Sequence, residues 1–211
     1  MVRIVSIWYC ASLIGLSLLG GCSAEDSLER IRASGELTVV SRNSPTTYYL
    51  GAEGPAGFEY DLVTLLADDL DVTLGVREAF SLDDIFNQLH RREADLAAAG
   101  LTLTGQRDAQ YQHSSAYYTL TPQVVYKAGQ AKPRKPDDLV GRRILVLEGS
   151  SHAESLRALK ANSLRELRWD EVADVDSMEL LEMLDAGEAE LVIIDSNEFA
   201  VQQSLYPRLE V

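Results

Sequence analysis

Cysteine is almost absent from this chain. There are two, Cys10 and Cys22, in 211 residues. Nothing after residue 22 can form a disulfide or offer a thiolate to a metal. Histidine is nearly as scarce: His90, His113 and His152 show no metal-ligand spacing and read as solvated surface residues rather than zinc ligands. No metal or organic cofactor is expected. Basic residues are outnumbered, 19 against 33 acidic ones, for a net charge of −14. That balance excludes a nucleic-acid partner and simple electrostatic adhesion to anionic membranes. The basic run Lys132-Pro-Arg-Lys-Pro136 reads as a solvated connection.

Long apolar stretches are lacking too. Residues 4–19 are apolar but too short for a comfortable transmembrane helix. With Arg3 before them and Leu19-Gly20-Gly21-Cys22 after, they read as a bacterial lipoprotein signal covering residues 1–21, removed in front of a lipidated Cys22. Arg3 is the one charged residue of that segment, so its removal takes the net charge from −14 to −15. Ser23 follows the cysteine, where an aspartate would signal retention in the inner membrane. The expected address is therefore the periplasmic face of the outer membrane. Residues 22–35 form a tether with a short helix ended by Gly35.

The chain contains an internal repeat. Arg92-Glu-Ala-Asp-Leu-Ala-Ala-Ala-Gly100 has a counterpart in Gly187-Glu-Ala-Glu-Leu-Val-Ile-Ile-Asp195. Each follows an amphipathic helix and leads into a short apolar run that reads as a buried strand. In open α/β sheets, ligands bind beyond the carboxyl ends of such strands. Beyond the first lie Thr102, Thr104 and Arg107, two hydroxyls and a guanidinium suited to a carboxylate. The second ends in Asp195, suited to an amine. Read as unrelated surface charges, Arg107 and Asp195 mean nothing; read through the repeat, they face one cleft from two lobes of similar build.

Other elements follow in order. Residues 37–40 are the first strand. The loop after it carries Tyr48 and Tyr49, placed either to wall the cleft or to cover the edge of the core. Residues 58–70 form the clearest helix, with Phe58, Leu62, Leu65, Leu66 and Leu70 on one face expected to be core. Ser81 caps the next helix. Residues 123–127 read as the strand leaving the first lobe, and 144–147 as the first strand of the second. Ser151 with Glu154 makes a capping box, leaving Ser150 as the better ligand candidate at that helix start. Asp176 and Gly187 bound a further helix, and residues 197–205 are expected to be helical.

Leu37-Thr-Val-Val40, Gly57-Phe-Glu-Tyr-Asp-Leu62, Ala94-Asp-Leu-Ala-Ala-Ala-Gly-Leu-Thr-Leu-Thr-Gly-Gln-Arg107 and Asp138-Leu-Val-Gly141 resemble the family 3 periplasmic solute-binding proteins. Asn43-Ser-Pro-Thr-Thr-Tyr-Tyr49, Ala116-Tyr-Tyr118, Gln123-Val-Val-Tyr-Lys-Ala-Gly-Gln130 with Pro133-Arg134, and Ile194-Asp-Ser196 bring the chain closer to the N-terminal module of membrane-bound lytic murein transglycosylases. The resemblance implies an α/β, two-lobed fold of type II: lobe 1 at residues 36–127, lobe 2 at 128–195, and an incomplete return toward lobe 1 at 196–211. It implies a regulatory module that binds an amino acid or a peptidoglycan-derived peptide, attached to a catalytic domain whose glutamate is not in this chain. It matches Arg107 and Thr102 to the ligand carboxylate, Gly100 (through its carbonyl) and Asp195 to the amine, Ser150 and Ser151 to second-lobe contacts, and Phe80 to a side-chain wall. Glu148 departs from the pattern, standing where some amino-acid binders carry a basic residue; a simple acidic amino acid is thereby disfavoured. An amino-acid-binding lipoprotein of an importer is the alternative. A small dehydratase on this fold would need an acid/base group, for which Glu148 is the one candidate.

Overall fold

Two sheets carry the architecture in the computed structural model, which describes residues 27–211. The signal segment and Cys22 lie outside the described residues. In the first lobe, α1 (Ser27–Ser34) leads into β1 (Glu36–Ser41), a hairpin of β2 (Tyr49–Gly51) and β3 (Gly54–Ala56), α2 (Phe58–Leu70), β4 (Thr73–Glu78), α3 (Leu82–His90), β5 (Leu96–Ala97) and the single turn α4 (Gly105–Asp108). The sheet has the order β4-β1-β5, all parallel. In the second lobe come β6 (Pro122–Lys127), β7 (Ile144–Leu147), α5 (Ser151–Asn162), β8 (Asp170–Val172), α6 (Ser177–Ala186), β9 (Leu191–Asp195), α7 (Ser196–Gln202) and β10 (Leu209–Glu210). That sheet has the order β10-β6-β9-β7-β8, with β6 antiparallel to both β9 and β10.

The second sheet is sandwiched, and its strands are accordingly apolar on both faces. Leu145 and Leu147 of β7 pack on Leu180, Leu181 and Leu184 of α6, while Ile144 and Val146 turn to Ala153 and Leu156 of α5. Successive side chains of a strand point to opposite faces, so an unbroken Ile-Leu-Val-Leu run suits a strand with a layer on each side. The three leucines of α6 are fully buried, which stabilises that layer by roughly 5–9 kcal/mol relative to exposure. Asp176 accepts from the amides of Met178 and Glu179, Glu179 bonds back to the Asp176 amide, and Gly187 closes the helix in the left-handed region. Ser81 caps α3 through the Asp84 amide.

Four expectations need correction. The helix at Phe58–Leu70 forms where expected, but its buried stripe is Glu59, Val63 and Ala67; Phe58, Leu62, Leu65 and Leu66 are exposed, and Leu70 alone of the five packs partly on the core. A 3.6-residue period identifies an amphipathic helix without saying which face meets the sheet. The strand Pro122–Lys127 does not end the first sheet; it pairs with β9 and β10, and so belongs to the second. The segment 196–211 likewise stays with the second lobe, its last strand registering Leu209 against Lys127. Of the expected buried strand at Leu96 to Leu101, Leu96 and Ala97 form β5, which among the described residues is an edge strand paired with β1.

Candidate functional site

The loops after β1 and β5 meet the N-terminal ends of α5 and α7 across the gap between the lobes. There a cavity of about 30 Å³ is lined by Arg42, Gly100, Leu101, Thr102 and Arg107 from the first lobe, and by Ser150, Ser151, His152, Asp195 and Glu198 from the second, among others. Six positions singled out from the sequence thus share one small space. The lobes touch across it: Arg107 bonds to the Gly149 carbonyl, and Ser44 and Thr46 bond to Glu198.

Each of these groups is held by local structure. Arg107 sits on α4, whose N-cap is Thr104: its hydroxyl accepts from the Arg107 amide. The buried guanidinium donates to the Thr102 carbonyl at 2.8 Å and, across the gap, to the Gly149 carbonyl at 3.0 Å, and stacks over Phe86 at 5.3 Å. Burial lowers its pKa, opposed by Glu154. Gly100 adopts φ 66, and an added Cβ would lie 3.2 Å from Thr47 Cγ2 and 3.3 Å from Arg42 Nη2. Its amide donates to Glu59 Oε2 at 2.8 Å. Among the described residues no donor reaches its carbonyl, which stays available to a ligand amine.

On the opposite wall, Ser150 rather than Ser151 caps α5, accepting from the Ala153 amide at 3.2 Å. Its hydroxyl proton remains free to donate to a ligand oxygen. Asp195 lies at the end of β9 with a largely buried carboxylate, 3.7 Å from His152 Nε2. Burial raises the Asp195 pKa and lowers that of His152, each opposed by the other's charge. His152 is therefore no solvated surface residue: it is buried beside the aspartate, because it falls on the inward side of the first turn of α5.

Three charged groups of the site were not anticipated. Glu198, in the first turn of α7, is buried and accepts from the hydroxyls of Ser44 at 3.0 and 3.1 Å, Ser177 at 2.6 Å and Thr46. Arg42 Nη2 lies 3.6 Å from it, and Arg42 Nε is buried without a partner among the described residues. Ser44, Thr46 and Arg42 belong to the loop after β1, so this carboxylate ties the lobes together. Glu59 is the third. Burial raises its pKa against hydrogen bonds from Tyr117 and the Gly100 amide. Nothing local marks Glu198 as more than an acid complementing a helix N-terminus; its first-lobe partners Ser44 and Thr46 lie more than 150 residues away.

Two expected residues fall outside this cavity. Tyr48 packs on Tyr60 with ring centroids 5.8 Å apart. Phe80 is exposed and lines a separate cavity of about 250 Å³ between the lobes, adjoining the first through Arg42, Leu82 and Leu147. On the other side, a cavity of about 840 Å³ reaches Gly100, Thr102, Ser151 and Asp195 past Phe58, Tyr117 and Tyr118.

Residues 37–192 match the model of the bacterial extracellular solute-binding proteins, family 3. The chain is 44% identical over 206 residues to membrane-bound lytic murein transglycosylase F of Pseudomonas syringae pv. tomato, covering 97% of this chain and 41% of that protein. It is 45% identical over 200 residues to the protein of the same name in Ectopseudomonas mendocina, covering 93% of this chain and 41% of that one. The chain thus spans about two fifths of the length of these relatives. Similar solved structures include holo ArgBP from T. maritima, with TM-score 0.76 and 21% identity, covering 86% of this chain and 78% of that one. Another is the amino acid ABC transporter substrate-binding protein AbpA of Streptococcus pneumoniae bound to L-arginine, with TM-score 0.75 and 21% identity over 86% and 76%. At that identity the likeness establishes the type II solute-binding fold.

Proposed function

Because the chain belongs to the bacterial extracellular solute-binding proteins of family 3, we propose that its inter-lobe cleft binds a ligand bearing an α-carboxylate and an α-amine, an amino acid or a peptidoglycan-derived peptide. The observation that carries this is the convergence of Arg107, Thr102 and Ser150 with the Gly100 carbonyl and Asp195 on one space between two lobes. The guanidinium and hydroxyls suit the carboxylate; the carbonyl and Asp195 suit the ammonium. No group of the cleft is given a catalytic part.

In this reading the ligand acts by closure. Hydrogen bonds from Arg107 to the Gly149 carbonyl and from Ser44 and Thr46 to Glu198 hold the lobes together, and a change in the size of the cleft requires the lobes to part. A ligand that bridges them then shifts the equilibrium toward a closed form, by no more than its preference for that form. The relatives named as membrane-bound lytic murein transglycosylases support a regulatory role beside such an enzyme in cell-wall turnover. The lipobox at Cys22 supports a lipid anchor at the periplasmic face of the outer membrane. Calorimetric titration of the full chain in detergent with amino acids and muropeptides tests the proposal. Heat of binding that disappears in Arg107→Ala, with the circular dichroism spectrum unchanged, is the expected result. Unchanged affinity in that variant, or no heat from any of these compounds, overturns it.

A further inference from the structure

Asp195 ends β9 at the wall of the cleft, and its carboxylate has no donor of its own. Among the described residues it accepts no hydrogen bond, although the side chain is only 13% exposed. Among the same residues one basic side chain stands within 4 Å of it: His152, whose Nε2 lies 3.7 Å from Oδ1, beyond hydrogen-bonding reach. The imidazole is itself only 8% exposed and forms no hydrogen bond among the described residues. Both groups line the space where Arg107, Thr102 and Ser150 converge. Buried polar groups are ordinarily paired, so two unpaired ones side by side on the wall of a cavity need an explanation. Other charges face them. Arg42 and Arg107, from the first lobe, oppose a proton on the imidazole and favour the ionised aspartate; Glu198, on α7, opposes that ionisation. Glu154, on α5 with His152, acts on Arg107 instead.

Resting on the proposed reading of the cleft, we infer that His152 is a positioning residue that acts through Asp195, an internal cation competing with the ligand's α-ammonium for one carboxylate. Neutral, the imidazole leaves Asp195 to the ligand and puts no like charge beside it. Protonated, it pairs with Asp195, and its charge repels an arriving ammonium. Capture of an amine by the protonated form releases one proton from the imidazole to solvent; no covalent bond besides that N–H is broken. Burial holds the imidazole below its ordinary 6.5. The neutral, receptive form therefore prevails at neutral pH, and the blocked form grows as pH falls below that value. Burial also raises the affinity of Asp195 for a proton, which blocks the site in the same way, so the pair titrates as a unit. Recognition of the ligand's amine is thereby sensitive to acid, while recognition of its carboxylate by the Arg107 guanidinium is not.

The test has two arms, both on the full chain in detergent. In the first, NMR follows the ring carbons of His152 against pH without ligand, in the wild type and in Asp195→Asn, with the exposed His90 and His113 as references. The imidazole should titrate below its ordinary value in the wild type, and lower still in Asp195→Asn, where its counter-charge is gone. In the second, calorimetry measures the common L-amino acids at about pH 7.5 and about pH 5, in the wild type and in His152→Leu. Wild-type affinity for a binder should fall about tenfold between the two, and clearly less in His152→Leu; one competing proton allows at most about tenfold per pH unit. An equal fall in His152→Leu overturns the inference and leaves the cleft reading intact. So does an imidazole that titrates alike with and without the Asp195 charge, and that arm decides where His152→Leu loses its circular dichroism signal. Absence of binding by every amino acid at both pH values removes the cleft reading for free amino acids, and this inference with it.

Discussion

Removing the Glu198 carboxylate should both destabilise the protein and open it. In Glu198→Ala the hydroxyls of Ser44, Thr46 and Ser177 lose their common acceptor, and Arg42 loses its nearest counter-charge. A buried donor left without a partner costs about 1–3 kcal/mol. The three losses are not additive, because Ser44 and Thr46 lie 2.9 Å apart and can pair with each other, whereas Ser177, which accepts from Gln202 Nε2 at 2.9 Å, is left with its own proton unpaired. Stranding the Arg42 guanidinium adds to the loss, and breaking a buried charged cluster by deleting one partner costs about 3–5 kcal/mol. We expect a total of about 3–4 kcal/mol, a large fraction of the 5–15 kcal/mol typical of a folded domain. Glu198→Gln keeps one carbonyl acceptor and should cost about 1–2 kcal/mol. Urea unfolding followed by circular dichroism measures these losses. Because the broken bonds cross the lobes, small-angle scattering should also show a larger radius of gyration for Glu198→Ala in the absence of ligand. A loss under 0.5 kcal/mol with an unchanged scattering curve would refute the assignment of Glu198 as the tie between lobes.

Two further outcomes follow from the same geometry. Burial raises the Glu59 pKa above its ordinary 4.5, so the native state binds more protons than the unfolded chain just above that pH, and stability falls as pH rises through the window up to the raised value. Glu59→Gln retains an acceptor for the Gly100 amide and should flatten that slope; a wild-type slope in the variant, by thermal melts at several pH values, would contradict the burial argument. Gly100→Ala places a side chain at φ 66 within 3.2 Å of Thr47 and should cost about 1–2 kcal/mol in urea while weakening amino-acid binding.

Much of the fold is legible in the chain because it depends on local patterns. The apolar run at Ile144–Leu147, the capping box at Asp176, the left-handed Gly187 and the repeat leading to Leu96–Ala97 and Leu191–Asp195 each carry their signal within a dozen residues. The same repeat pointed to Arg107 and Asp195 as opposite walls of one cleft, since strand ends of like lobes occupy like places. What depends on pairing between distant segments was not legible. Whether β6 joins the first or the second sheet is decided by its hydrogen bonds to β9 and β10, and its composition suits either. Which face of α2 is inward depends on what packs there, and it is Val63 and Ala67 that meet Leu37 and Val39 of β1. The inward place of His152 beside Asp195 and the convergence of Ser44, Thr46, Ser177 and Arg42 on Glu198 bring together segments far apart in sequence, because burial and charge compensation belong to the assembled cleft and to no single stretch of chain.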